Sequence, residues 1–186
     1  ARHAIIGRAN ADRDHPNVVV SGWQVYDNKG REVEKYEPFF SRGWAYAQPR
    51  ESERRQKVSL FYDPRGQVVR TCNPDLSEQR VIYGVPGSRS TVDLAHPENF
   101  EPTPWEAYTY DANDNAGCTH GDTARAYEHH WNTPASIEID ALGRTIRSVE
   151  RNRTRSTSGL WSRQVEEHCT RSSYDIRGNL INIRDP

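Results

Sequence analysis

Methionine is absent from all 186 residues, cysteine occurs three times, and apolar residues make up only 34% of the chain. Without Met at position 1 an ordinary translation start is missing, so the chain is expected to be a piece of a longer polypeptide. The stretch Gly178 to Pro186, which stops as a strand enters another Asp-Pro turn, carries the same expectation. Cys72, Cys118 and Cys169 are widely spaced, odd in number and outside any CxxC pattern, which excludes a disulfide-dense scaffold. No apolar run approaches a bilayer span, no signal peptide opens the chain, and no membrane contact is expected of this segment. A mean hydropathy of −0.96 leaves little apolar surface to offset chain entropy, so neighbours are expected to share the burial.

An excess of either charge is also missing. With 25 basic and 26 acidic residues the net charge is −1, so nucleic acid is not an expected partner. Arg147, Arg151, Arg153 and Arg155 form the densest basic stretch, and without a stacking platform beside them they read as a solvated loop. Catalytic signatures are absent too. Ser88, Ser90 and Ser136 lack a nucleophile elbow, the glycines form no phosphate loop, and Glu166-Glu167 reads as a strand edge or solvated face. Cys118, His120 and His129 are of zinc-binding type, and a zinc-dependent hydrolase is one alternative, but Cys-x-His is not a common ligand spacing. No cofactor and no metal are expected.

Aromatics, in contrast, are plentiful: five Trp, nine Tyr and four Phe, which argue for order and suit broad sheets. Trp23, Trp44, Trp105, Trp131 and Trp161 read as caps on apolar layers, and as a carbohydrate-binding surface in a second alternative, in which Trp44 and Trp105 would carry the contact.

The strongest pattern is a fivefold repeat of an apolar or aromatic residue, Asp, two variable positions and usually Gly. The copies begin at Tyr26-Asp27, Tyr62-Asp63, Tyr110-Asp111, Ile139-Asp140 and Tyr174-Asp175, and the Asp positions are 36, 48, 29 and 35 residues apart. Alternation on both sides of each copy predicts a β-hairpin. Asp27, Asp63, Asp111, Asp140 and Asp175 would accept backbone hydrogen bonds in the turn, and Gly30, Gly66, Gly143 and Gly178 would supply a positive φ. In the third copy Asp114 stands where Gly is expected, followed by Asn115, and the tolerance of Asp and Asn for a left-handed backbone is expected to preserve the turn.

The rest of the chain follows from these hairpins. Residues 1–17 read as a linker or lead-in strand, and 18–186 as the repeat region. The first hairpin joins Val18 to Tyr26 with Glu32 to Phe40, Ser41 to Gln56 is an exposed excursion, and a meander follows over 57–62, 67–71 and 78–83. Pro86, Pro97, Pro102 and Pro104 forbid regular structure over 85–104, and Asp122 to Trp131 is the one short helix expected. The fold class is therefore all-β: repeated hairpins in a curved antiparallel strip of a larger hollow shell.

Tyr26-Asp27-x-x-Gly30-Arg31, Tyr62-Asp63-x-x-Gly66-Gln67, Tyr174-Asp175-x-x-Gly178-Asn179 and the variant Ile139-Asp140-x-x-Gly143-Arg144 resemble the YD repeats of rearrangement-hot-spot (Rhs) proteins and teneurins. Residues 25–31, 34–40 and 101–106 narrow the resemblance to the SpvB- and Rhs-containing B subunit of bacterial insecticidal toxin complexes. That resemblance implies a noncatalytic segment of a secreted shell, assembled in the bacterial cytoplasm, which encapsulates a toxic cargo polypeptide for delivery. Its implied partners are the remaining shell, the C subunit with its cargo, and a pore-forming A subunit. Asp63-Pro64-Arg65-Gly66-Gln67 resembles part of the family's self-cleavage element but lacks its downstream continuation, so no catalytic residue is carried over.

Overall fold

The computed structural model describes residues 2–4, 16–46, 48, 50, 56–87, 99–121, 131–155, 159 and 161–186. Among these the regular structure is all-β, and the chain divides into two units, Ala1–Asp75 and Leu76–Pro186. The helix expected over 122–131 lies outside the described residues, except for Trp131.

The first unit holds two antiparallel sheets. One pairs β1 (Arg2–Ala4), β2 (Asn17–Val20) and β5 (Phe39–Arg42) in that order; the other orders β3 (Gln24–Tyr26), β4 (Glu32–Tyr36), β6 (Lys57–Tyr62) and β7 (Val68–Cys72) as neighbours. This corrects the expected single hairpin from Val18 to Phe40. Gly22, at φ +67°, interrupts one arm, and Pro38 removes a ladder donor from the other. The outer halves therefore pair with each other, Val18 with Ser41 and Val20 with Phe39, while Gln24 pairs with Lys35. The start of the expected excursion is thus strand β5. The break also builds the core: Val18, Val20, Tyr36 and Phe39 are buried together, with Trp23 and Val25 against them. An edge-to-face contact at 6.4 Å joins Trp23 to Phe39.

The second unit is a single meander, β8 (Glu78–Tyr83), β9 (Glu106–Tyr110), β10 (Ala135–Ile139), β11 (Thr145–Arg155), β12 (Trp161–Tyr174) and β13 (Leu180–Arg184), each antiparallel to the next and not closed into a barrel. Its core is small: Ile82, Phe100, Tyr108 and Tyr110. The Arg-rich stretch is not a solvated loop as expected but the body of β11. Arg151 is only 6% exposed, and its guanidinium donates to Pro134 O at 2.7 Å and to Glu167 at 3.1 Å while covering the Tyr108 ring at 5.2 Å. Alternation places Arg151 on the inner face beside Val149, where Nε and Nη1 are hydrogen-bonded while Nη2 is buried without a partner among the described residues.

Candidate interface built from the aspartate turns

Four copies of the motif fold into the same turn. In each, the Asp N–H donates to the carbonyl four residues on, and the Gly N–H donates back to the Asp carbonyl, at 2.9–3.0 Å. One carboxylate oxygen accepts the N–H of the residue after the glycine in all four, as with Arg31 to Asp27 Oδ1 at 2.9 Å and Asn179 to Asp175 Oδ1 at 2.8 Å. The glycines Gly30, Gly66, Gly143 and Gly178 all have φ between +75° and +89°. Every turn is followed by the same register shift, next to Tyr26, Tyr62, Ile139 and Tyr174. A type I turn closed by a left-handed glycine has this bulged form, and its bulge adds twist.

The turn carboxylates are held below the usual range. The Arg31 N–H does this first for Asp27, and the Gln67 N–H for Asp63. The Arg144 guanidinium leads at Asp140, and the Asn179 side-chain amide at Asp175. Carboxylates whose pKa is lowered by the donors they accept from are poor general bases.

The third copy is built differently. Neither Asp114 nor Asn115 has a positive φ, contrary to expectation. Asp111 Oδ1 still accepts from Asn113 and Asp114, but the chain continues in a longer turn in which the Asn115 N–H reaches Asp111 O at 3.2 Å. Asp114 does the fixing: its carboxylate accepts the Asp111 N–H at 2.9 Å and the Thr133 N–H at 2.7 Å. Burial raises its pKa. Asn115, fully buried, donates to Glu78 O at 2.7 Å. In the second unit's meander, alternate connections fall at opposite strand ends, so the Asp111 turn lies at the end away from Asp140 and Asp175. The ragged intervals of 48 and 29 residues have this origin: at one strand end the spacings are 36 within the first unit and 35 within the second.

A feature not foreseen from the sequence ties one hairpin to the next. The Arg31 guanidinium, itself paired with Asp27 at 2.7 Å, lies 4.6 Å over the ring of Tyr62 in the following copy, and the Tyr62 hydroxyl donates to Glu32 O at 2.6 Å. The second unit repeats this: Arg144 pairs with Asp140 at 2.6 Å and lies 4.7 Å over Tyr174, whose hydroxyl donates to Thr145 O at 2.9 Å. Each clasp thus joins turn, guanidinium, aromatic ring and the next hairpin's strand. The guanidinium also lies against the following glycine: a Cβ at Gly66 would stand 3.9 Å from Arg31 Nη1, and one at Gly178 would stand 3.6 Å from Arg144 Nη1, both ordinary contact distances. The sequence signal was Arg after Gly in the first and fourth copies with Tyr in the copy after each. The turn that the sequence predicts at Asn73-Pro74-Asp75 repeats the local backbone pattern of the motif, with Leu76 at φ +69° in the glycine position.

The other candidates are not drawn into a site. Cys118 is exposed, Thr119 Oγ1 and His120 Nδ1 are 3.2 Å apart, and His129 lies outside the described residues. Among the described residues no three His, Cys, Asp or Glu side chains converge as metal ligands. Trp44 and Trp105 are both half exposed, while Arg153 covers Trp131 at 4.4 Å. A cavity of about 610 Å³ in the second unit is walled by Tyr108, Tyr110, Trp131, Arg151, Arg153 and Val165, and Glu167, its carboxylate, is tied to Arg151. Its described walls carry no nucleophile with an adjacent base.

No family model and no curated protein matches the sequence. Solved structures do. A crystal structure of TcdB2-TccC3 matches 91% of this chain with a TM-score of 0.66 at 23% identity, and a crystal structure of TcdB2-TccC3-TEV matches 92% with 0.67 at 25%. The structure of the Photorhabdus luminescens Tc holotoxin pore, with mutation TccC3-D651A, matches 91% with 0.62 at 22%. The chain spans 7% of the length of each of these chains. It therefore shares a fold with one part of these TcdB2-TccC3 chains.

Proposed function

We propose that this chain is a noncatalytic segment of the wall of a toxin-complex shell, serving to enclose a toxic cargo polypeptide before delivery. The clasps carry the reading: Arg31 on Tyr62 and Arg144 on Tyr174 lock successive hairpins side by side, which is what a wall requires and a catalytic site does not. Likeness to toxin-complex chains over 91% of the segment supports it. On this reading the partners are the rest of the shell, a C subunit with its cargo and a pore-forming A subunit, and the assembled complex is secreted.

Protease protection tests the proposal. In the intact parent polypeptide assembled with its C subunit, the enclosed cargo should resist digestion, and the pair Tyr62→Ala with Tyr174→Ala should expose it. Cargo digested at the same rate with and without the shell would overturn the reading.

A second reading, carbohydrate binding, is favoured by the exposed rings of Phe40, Trp44 and Tyr46 in the first unit. Glycan binding abolished by Trp44→Ala would select it.

A further inference from the structure

Tyr26 occupies the motif position of Tyr62 and Tyr174, yet it is 56% exposed and its hydroxyl donates to Gln24 on its own strand at 2.7 Å. No guanidinium covers it among the described residues. The adjacent glycine agrees: a Cβ at Gly30 would meet nothing within 4 Å, where Gly66 and Gly178 each have a guanidinium nitrogen nearby. Gly143 is equally open, but its copy carries Ile139 in place of the tyrosine. Of the four equivalent turns, Tyr26–Gly30 is therefore the one with the ring and the space but without the cation. Among the described residues its strand β3 is also the last in its sheet, with one edge unpaired.

We infer that the β3 edge and Tyr26 form a docking surface for a β-hairpin whose turn reads Asp-x-x-Gly-Arg. The second strand of that hairpin would pair with β3 as β4 pairs with β6, its arginine would cover the Tyr26 ring over Gly30, and the Tyr26 hydroxyl would turn to the carbonyl after the arginine. A second copy of this chain does not supply the occupant. Arg31 and Arg144 are engaged by Tyr62 and Tyr174, and the remaining equivalent turns end in Gln67 and Asn179. The partner is thus a different repeat hairpin of the same chemistry. The inference rests on the wall reading and names which kind of neighbour adjoins this edge.

The test uses the whole chain and a fluorescent hairpin of residues 135–150 closed by a disulfide between added terminal cysteines, which displays Asp140 and Arg144. Anisotropy should report saturable binding. Tyr26→Ala in the chain and Arg144→Gln in the hairpin should each weaken it about tenfold, and together no further, because both remove one contact. Tyr26→Phe should retain most of the affinity. Circular dichroism checks that the Tyr26 variants are folded; should Tyr26→Ala be unfolded, the hairpin substitution decides alone. Absent binding, or binding indifferent to Arg144→Gln, would overturn the inference, while protease protection of cargo by the intact shell would still stand and keep the wall reading separate.

Discussion

At the residue scale, the aspartates act through what they accept rather than what they donate or transfer. Their folded pKa values are lowered, so the stability they contribute is present above the unfolded carboxyl value of about 3.9 and is lost as pH falls through the folded values. Asp114 runs the other way: its pKa is raised, so what it contributes at acid pH is lost as pH rises through its folded value. Acid unfolding followed by circular dichroism should therefore set in below about pH 4, and Asp140→Asn, which keeps the backbone bonds to Leu142 and Arg144 but not the ion pair, should flatten that limb. Gly178→Ala should cost about 1–2 kcal/mol through the left-handed backbone at φ +89°, read by urea unfolding. Asp114→Ala should cost about 1–3 kcal/mol by stranding the Thr133 and Asp111 N–H groups. The turn chemistry of Asp27, Asp63, Asp140 and Asp175 was legible in the sequence because Asp and Gly act on their own backbone, within five residues. Asp114 was misjudged because its partner Thr133 is 19 residues away, and no local rule anticipates it.

At the element scale, hairpins were legible and their pairing was not. Alternation marks a strand but does not say which strand it joins, so Val18 to Tyr26 was read as one arm when Gly22 and Pro38 divide both arms between two sheets. The same weakness hid the second half of β11, beyond the strand expected over Thr145 to Val149, where charged residues alternate with Asn152 and Thr154 and the buried side chain is Arg151 rather than an aliphatic. The clasp works at this scale as well. Each links neighbouring hairpins through a ring and a guanidinium, and a double-mutant cycle over Arg144 and Tyr174 should give a coupling of about 0.5–1 kcal/mol in thermal or urea unfolding. Additivity within error would deny that the contact joins the elements. Ile139→Tyr should bring no matching gain, since a Cβ at Gly143 meets no cation.

At the scale of the whole molecule, the described residues hold two small cores, and β13 is exposed along its length, with Leu180, Ile181 and Ile183 carrying apolar surface on a strand that is last in its sheet among them. A low apolar fraction anticipated this shortage of burial; the resemblance in the repeat text, not the composition, supplied the shell. The direct measurement is electron cryomicroscopy of the intact parent polypeptide with its partner subunit. The account predicts residues 18–186 within the wall of a closed hollow body, with hairpins adjoining both β3 and β13 and an arginine over Tyr26. A map placing the segment as a separate module on the outside, with β3 and β13 facing solvent, would contradict it.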